Sequence, residues 1–287
     1  MRLRLALAFA AALAAAPIAR AQDAPNTRVV LTDGRVLVGT VVDNGDGTLT
    51  ITDRSGVRTV VPADRVRSQT TVAAGAYAQT DPANSRLFIA PTARVIPDGQ
   101  KRLSTFTIMP SFGVGIGGRA DVSIYATIPT GDGGFAGLNG KVALVQTPST
   151  AVAAGASIGT AYGVGGIDET PFGGTFYLLG TFGSESRSVT AGAFGFYGGA
   201  LGESLEVGNG MGVLLGGDYQ IANRVKLMSE NMIAILFESG GGVGTYHLAG
   251  ARFFSGGVTG DLAVAIVQGD GEVQVSPIPY FGFSYNF

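Results

Sequence analysis

From Ser85 to Phe287 the chain alternates apolar and polar residues in run after run. Steps of two place Val122, Ile124, Ala126 and Ile128 on one face and Asp121, Ser123, Tyr125 and Thr127 on the other. Leu262, Val264 and Ile266 oppose Asp261, Ala263 and Ala265 in the same way. Read as one strand, 102–115 and its continuation give Phe106, Ile108, Pro110, Phe112, Val114 and Ile116 a shared face, with Thr105, Thr107 and Ser111 opposite. Period-two alternation is the signature of strands with one face in an apolar medium. Runs centred on 85–95, 102–115, 119–129, 136–147, 150–164, 173–183, 187–198, 209–220, 223–237, 244–254, 258–268 and 277–287 predict roughly twelve strands, most of them about ten residues or slightly longer, the length that crosses a bilayer at a tilt. The last run is the most one-sided. Pro279, Phe281, Phe283, Tyr285 and Phe287 share a face, against Tyr280, Gly282, Ser284 and Asn286.

The links between these runs alternate in length. Gly117-Gly118, Pro148-Ser149, Ser184-Glu185-Ser186, Ile221-Ala222 and Ser255-Gly256-Gly257 are tight. The intervening links, such as Gly131 to Phe135, Gly165 to Phe172 and Gly199 to Gly208, are mostly longer and rich in glycine. Short turns at one end and longer loops at the other are the asymmetry of transmembrane β-barrels. An even strand number returns both ends of the barrel to the short-turn side. The fold class expected is therefore all-β: a transmembrane antiparallel barrel of about twelve strands, residues 85–287, preceded by a smaller β module.

That module is read at residues 22–68. Thr27 to Thr32 and Arg35 to Val42 flank an Asp33-Gly34 turn, and Asn44-Gly45-Asp46-Gly47 leads into Thr48 to Thr52. Ser55-Gly56 turns into Val57 to Val61, and Pro62 to Val66 holds a short helical turn and a closing strand. Residues 69–84, dominated by Thr, Ala, Gly and Gln, are read as a linker. Residues 1–21 form a secretory signal: Arg2 and Arg4, an apolar stretch from Leu5 to Ala16, and Ala19-Arg20-Ala21 before Gln22.

Composition narrows the classes. Cysteine is absent, which excludes thiol nucleophiles, thiolate metal sites and disulfide staples. A net charge of −2 argues against nucleic acid as a partner. Arginines 28, 35, 54, 58, 65 and 67 make the module the most basic region, balanced by Asp33, Asp43, Asp46, Asp53 and Asp64.

The C-terminal residues carry a resemblance. Phe287, with Tyr285, Phe283 and Phe281 at steps of two before it, resembles the assembly signal of bacterial outer-membrane β-barrel proteins. Residues 81–100, DPANSRLFIAPTARVIPDGQ, are similar to the opening of uncharacterised porin-like members that also carry a small N-terminal β module. The run VVLTDGRVLVGTVVDNGDGTLTITDRSGVRTVVPADRV resembles SH3-like or Sm-like barrels. The resemblance implies a chain in the outer membrane of a Gram-negative bacterium, recognised through Phe281, Phe283, Tyr285 and Phe287 by the barrel-assembly machinery. Its partners would be the lipid bilayer and that machinery, with the module in the periplasm and the barrel a monomer. Pro279 departs from the bulky apolar residue usual at its place and is tolerable near a strand start.

Candidate chemistry is sparse. His247 is the only histidine, so a histidine metal cluster is excluded. As a base it needs a hydroxyl nucleophile and an orienting group; Ser229 and Asn231 lie on the preceding strand. A lone histidine at a strand end is far more often a polar lumen or interface residue. The Gly-x-Gly runs, such as Gly113-Val114-Gly115 and Gly240-Gly241-Gly242, lack the strand–helix setting and Gly-Lys-Ser/Thr of a phosphate loop and read as turns and space in a curved sheet. Phe88, Tyr125, Tyr162, Phe172, Phe176, Tyr197, Phe237, Tyr246, Phe254 and Tyr280 fall near strand ends, where interface girdles collect aromatics.

Lys141, Asp218, Glu230 and Arg252 are charges within strands. Facing lipid at mid-depth would cost about 2–4 kcal/mol for Lys or Arg, so all four are expected to face the lumen. Two readings stay open: opposed charges lining a pore, or paired charges that fill and stiffen a narrow barrel. No catalytic, cofactor or metal site is expected. The function expected is porin-like passage of small solutes or a structural barrel. Alternatives are an anchor whose module binds a periplasmic partner or peptidoglycan and, last, a lipid-modifying enzyme.

Overall fold

A computed structural model describes residues 26–33, 35–53, 56–72, 79–128, 133–162, 171–200, 206–237, 242–268 and 278–287. The expected signal at 1–21 and most of the long links fall outside the described residues. The chain divides into two compact units, residues 1–78 and 79–287.

The first unit is a five-stranded antiparallel sheet. Strands β1 (Asn26–Leu31), β2 (Val36–Asp43), β3 (Thr48–Thr52), β4 (Arg58–Pro62) and β5 (Val66–Val72) lie in the order β4-β3-β2-β1-β5. A 3-10 turn, Ala63–Arg65, carries the chain from β4 into β5. Val29, Leu31, Leu49, Ile51 and Val61 form the buried core. β5 pairs with β1 as far as Val72, so it extends into the stretch read as linker.

The second unit is a closed, transmembrane-type barrel of twelve antiparallel strands. They are β6 (Lys101–Phe106), β7 (Met109–Ile116), β8 (Ala120–Ala126), β9 (Gly134–Gln146), β10 (Thr150–Tyr162), β11 (Pro171–Ser184), β12 (Arg187–Ala200), β13 (Glu206–Ala222), β14 (Val225–Leu236), β15 (Val243–Ser255), β16 (Val258–Gln268) and β17 (Ile278–Asn286). Each strand pairs with its neighbours in sequence, and β17 closes on β6. Lys101 and Phe287 exchange backbone hydrogen bonds of 2.8 and 3.0 Å, which seals the two ends of the barrel together. Closure leaves no unpaired sheet edge facing lipid, the condition for spanning with strands.

Alternation sorts the side chains. Leu103, Val122, Ile124, Leu138, Leu178, Val213 and Leu262 are exposed on the outer face. Phe281, Phe283, Tyr285 and Phe287 join them, whereas Tyr280 and Ser284 of the same strand are buried inside. An exposed apolar outer face with polar and charged residues within inverts the rule of water-soluble domains and suits a lipid solvent.

Twelve is the count that alternation predicts, but two of its members differ. Residues 85–95 are not a strand. Leu87 N–H donates to Ala90 O at 2.9 Å and Thr92 N–H to Ser85 O at 3.0 Å, so the chain folds back on itself around Leu87–Ala90. Pro91 removes a ladder donor from the middle of this stretch, which a barrel strand paired on both sides cannot spare, and Pro82 and Pro97 flank it. The missing strand is recovered because 102–115 is a hairpin, β6 and β7, turning at Thr107-Ile108. Thr107 takes a left-handed φ of 54°, uncommon for a β-branched residue, and no glycine or asparagine marks the place. Phe106 pairs with Met109, so Phe106 faces inward, on the opposite face from Pro110, Phe112 and Ile116.

Candidate functional site

Residues 79–100 form an irregular segment, of which 81–96 lie inside the barrel and 97–100, exposed, lead into β6. A buried backbone outside the sheet must find partners for its N–H and C=O groups. The strands provide them with charged side chains. Arg252, on β15, is fully buried. Its Nε and Nη2 bond both oxygens of Asp261, on β16, at 2.7 and 3.1 Å. Its Nη1 reaches Asp81 Oδ2 at 3.0 Å and Ala83 O at 3.0 Å, and Nη2 donates to Leu87 O at 2.5 Å. Arg252 and Asp261 are a cross-strand pair in the register, which fixes their geometry before the segment is added.

Lys141, on β9, pairs with Asp121 of β8 at 3.2 Å. The same ammonium donates to the carbonyls of Ser85, Thr92 and Arg94 at 3.3, 3.1 and 2.6 Å. Glu230, on β14, does the reverse. Its two oxygens accept the N–H groups of Ile89 at 3.0 Å and Ala90 at 3.1 Å, and Tyr246 donates its hydroxyl to the same carboxylate. Asp218 lies lower on β13, where it pairs with Lys226 at 2.8 Å and accepts from Ser188 at 2.5 Å. Lys226 also reaches Asp81 at 3.5 Å. Of the four strand charges singled out from sequence, three thus bind the segment directly and Asp218 does so through Lys226.

The segment contributes its own cation. Arg86 pairs with Asp261 at 2.8 Å, donates to Ser284 Oγ at 2.6 Å, and lies 4.9 Å from the centre of the Phe106 ring. Arg102 bonds Asn286 at 2.9 Å and Ser85 Oγ at 2.6 Å. Apolar packing completes the anchorage. Phe88 packs edge-on to Tyr280, ring centres 5.7 Å apart, in a cluster with Leu87, Met228 and Leu248. Sequence reasoning missed Arg86, Asp81, Asp121, Lys226 and Asp261 as members of one network. The signal lay in the prolines and in a pair of arginines, Arg86 and Arg94, in an apolar run that does not alternate.

Above the folded-back tip, on the side of the long links, the lumen holds a cavity of about 590 Å3. Ile89 and Ala90 form part of its floor, and Phe106, Tyr125, Tyr177, Phe194, Phe196 and Met232 are among its walls. The aromatic residues expected at an interface girdle therefore divide. Phe176 and Phe237 are exposed, whereas Tyr125 and Tyr246 line the cavity and Phe88, Phe254 and Tyr280 are buried in the interior.

His247 and Asn231 form a cross-strand pair, with His247 Nδ1 3.0 Å from Asn231 Oδ1. They alternate with the inward-facing Leu248 and Glu230 and so lie on the outer face. Ser229 faces Ala249 in the register, two pairs removed from His247, and the imidazole lies within hydrogen-bond reach of Asn231. The hydroxyl–imidazole contact of an activated nucleophile is not formed here. Among the described residues, no group of three His, Cys, Asp or Glu side chains could hold a metal ion.

No protein-family model and no curated protein matches the chain. Among solved structures it is similar to OmpT, an outer membrane protein of Vibrio cholerae, at 12% identity over 92% of this chain and 94% of that one, with a TM-score of 0.40. It is similar to the KdgM porin at 7% identity, covering 66% of this chain and 96% of that one, TM-score 0.42. It is similar to the NanC porin at 10% identity, covering 65% and 97%, TM-score 0.40. The barrel assignment rests on the strand pairing itself.

Proposed function

We propose that this barrel is a porin-like conduit of the outer membrane, passing small solutes without converting them, and that the 79–100 segment is its plug. The observation that carries this reading is the closed strand order. Every strand from β6 to β17 has both its partners from the barrel, so the segment fills the lumen without being part of the wall. Side-chain hydrogen bonds and ion pairs hold it, and these exchange for water when it moves. The lumen, rather than any reactive group, is the feature the geometry offers. Sidedness follows the turns: the short turns and both barrel ends belong to the periplasm, and the module, which precedes β6, belongs there too. Assembly as a monomer through the aromatic terminus completes this reading.

Single-channel recording of the refolded protein in planar bilayers is the test. Wild type is expected to be closed for most of the record, and a variant lacking 80–97 is expected to conduct continuously. A barrel that folds without its segment and never conducts overturns the proposal.

A second reading draws on the module. Its five strands enclose their own core, and the order β4-β3-β2-β1-β5 supports its likeness to SH3- or Sm-type barrels. On this reading the barrel is an anchor and the module binds a periplasmic protein or peptidoglycan. Co-purification of a peptidoglycan fragment or a protein with the full chain, lost when residues 26–72 are removed, would favour it.

A further inference from the structure

The upper lumen differs from an ordinary solute pore. A water-filled passage is lined by polar groups, whereas here the walls are largely aromatic and aliphatic. The charged residues that border the cavity are engaged elsewhere. Glu230 is bonded by Ile89, Ala90 and Tyr246, Lys141 by Asp121 and three carbonyls, Asp121 also by the Ile96 N–H, Arg102 by Asn286 and Ser85, and Arg86 by Asp261 and Ser284, with only its buried Nε left over. What remains to meet a ligand are ring surfaces, Met232 and neutral hydroxyls such as those of Ser111 and Ser123.

Glycines keep this space open. A Cβ at Gly155 would lie 2.3 Å from the Tyr177 ring, one at Gly212 would lie 2.3 Å from the Phe194 ring, and one at Gly137 would lie 2.6 Å from the Tyr125 ring. Each ring therefore lies over the glycine of a neighbouring strand, along the wall instead of across the lumen. Phe194 and Phe196 meet edge to face, ring centres 5.2 Å apart. The result is an apolar cavity bordered by several ring systems, with a volume of about 590 Å3, within the range of about 300–1,000 Å3 found for small-molecule sites.

We propose that this cavity binds a compact, uncharged aromatic molecule, which covers apolar wall that water covers poorly. The proposal names the solute class of the conduit and so rests on that reading, but binding is measurable without flux. A charge would lose its hydration and, among the described residues, meet charged side chains already bonded to one another or to backbone, the buried Arg86 Nε apart. A long alkyl chain would share the apolar chemistry but leave the ring-lined walls without stacking partners.

The probes are 1-naphthol, naphthalene-1-sulfonate and 1-decanol, measured by equilibrium dialysis against the full chain in lipid nanodiscs, with empty nanodiscs as the partition control. One saturable naphthol site per chain is expected, with the sulfonate and decanol weaker by about tenfold or more, the equivalent of about 1.4 kcal/mol. Ser157→Phe and Met232→Trp each fill the cavity from a different wall and are expected to weaken naphthol by about tenfold or more. Either variant suffices if the other fails to fold, as judged by circular dichroism and heat-modifiable mobility. Uptake equal to empty nanodiscs, uptake unchanged in a folded filled variant, or preference for decanol or the sulfonate overturns the proposal. Naphthol binding without conductance would keep the site and remove the conduit; conductance without naphthol binding would do the reverse.

Discussion

The two halves of the lumen are built from one set of strands and have opposite chemistry. Toward the short turns, Asp81, Asp121, Asp218, Lys141, Lys226, Arg86, Arg252 and Asp261 interlock with an irregular backbone, and water is largely excluded. Toward the long links, Tyr125, Tyr177, Phe194 and Phe196 surround open space. Asp121 and Tyr125 stand on the same face of β8, two positions of alternation apart, so a strand changes lumen chemistry within a few residues. Charge is placed where an unpaired backbone needs it. Aromatic surface is placed where none of the described residues covers it. The polar half holds, and the apolar half receives.

The largest test of that division is Arg252→Ala. It leaves Asp261 with Arg86 alone and Asp81 with Lys226 alone, one cation short in a buried cluster, and frees the carbonyls of Ala83, Arg86 and Leu87, a loss of about 3–5 kcal/mol by the rule for breaking buried ion pairs. Urea unfolding in micelles should show it, and bilayer conductance should rise. An unchanged midpoint would mean that the segment is held by its apolar packing alone.

Glu230→Gln is the next. It keeps the shape but leaves one carboxamide group facing two N–H donors and Tyr246, an expected cost of about 1–3 kcal/mol. Amide exchange at Ile89 and Ala90 should quicken while strand amides stay protected. Uniform exchange across barrel and segment would dissolve the distinction between wall and plug.

In the apolar half, Gly155→Val drives a side chain into the Tyr177 ring and is expected to cost about 1–3 kcal/mol by overpacking. Its signature differs from the charge variants: stability falls and naphthol binding weakens, while Ile89 and Ala90 remain protected. Loss of their protection would join the two halves into one cooperative unit.

The smallest effect is expected from the same chemical pair in water. Asp33 and Arg35 form an exposed bridge of 2.8 Å in the module. The Arg35 backbone N–H and guanidinium hold the Asp33 carboxyl below the usual carboxylate range. A depressed folded-state value means that its contribution is present above the ordinary pKa of about 3.9 and fades as pH falls through the folded value. Asp33→Asn should therefore shift the urea midpoint little at pH 7, and still less as pH falls through the acid range. An effect rivalling that of Arg252→Ala would show that burial is not what gives the lumen pair its weight.

How legible this was varied by element. Strands β8 to β17 were readable because each has one face in lipid, and a one-sided environment writes itself into period two. Inward burial of Lys141, Asp218, Glu230 and Arg252 follows from the cost of charge in hydrocarbon. The 85–95 stretch misled because an apolar run packed inside a barrel and an apolar strand have the same composition; Pro91, the flanking Pro82 and Pro97, and the arginines Arg86 and Arg94 distinguish them. The Thr107-Ile108 turn carried no glycine, so the β6–β7 hairpin read as one long strand and Phe106 was assigned to the wrong face.

By itself, then, the sequence determined the lipid-facing side of the strongly alternating strands, such as β8 and β16, and the aromatic outer face of Phe281, Phe283, Tyr285 and Phe287, because hydrophobic alternation is a local property; the count of twelve held only because the false strand at 85–95 offset the hairpin read as one strand. What the interior contains was decided only by the tertiary structure. Arg252 meets Asp81 across 171 residues of chain, and Glu230 meets Ile89 across 141. No local pattern specifies such partners, since it is closure of the barrel that brings them within hydrogen-bond reach.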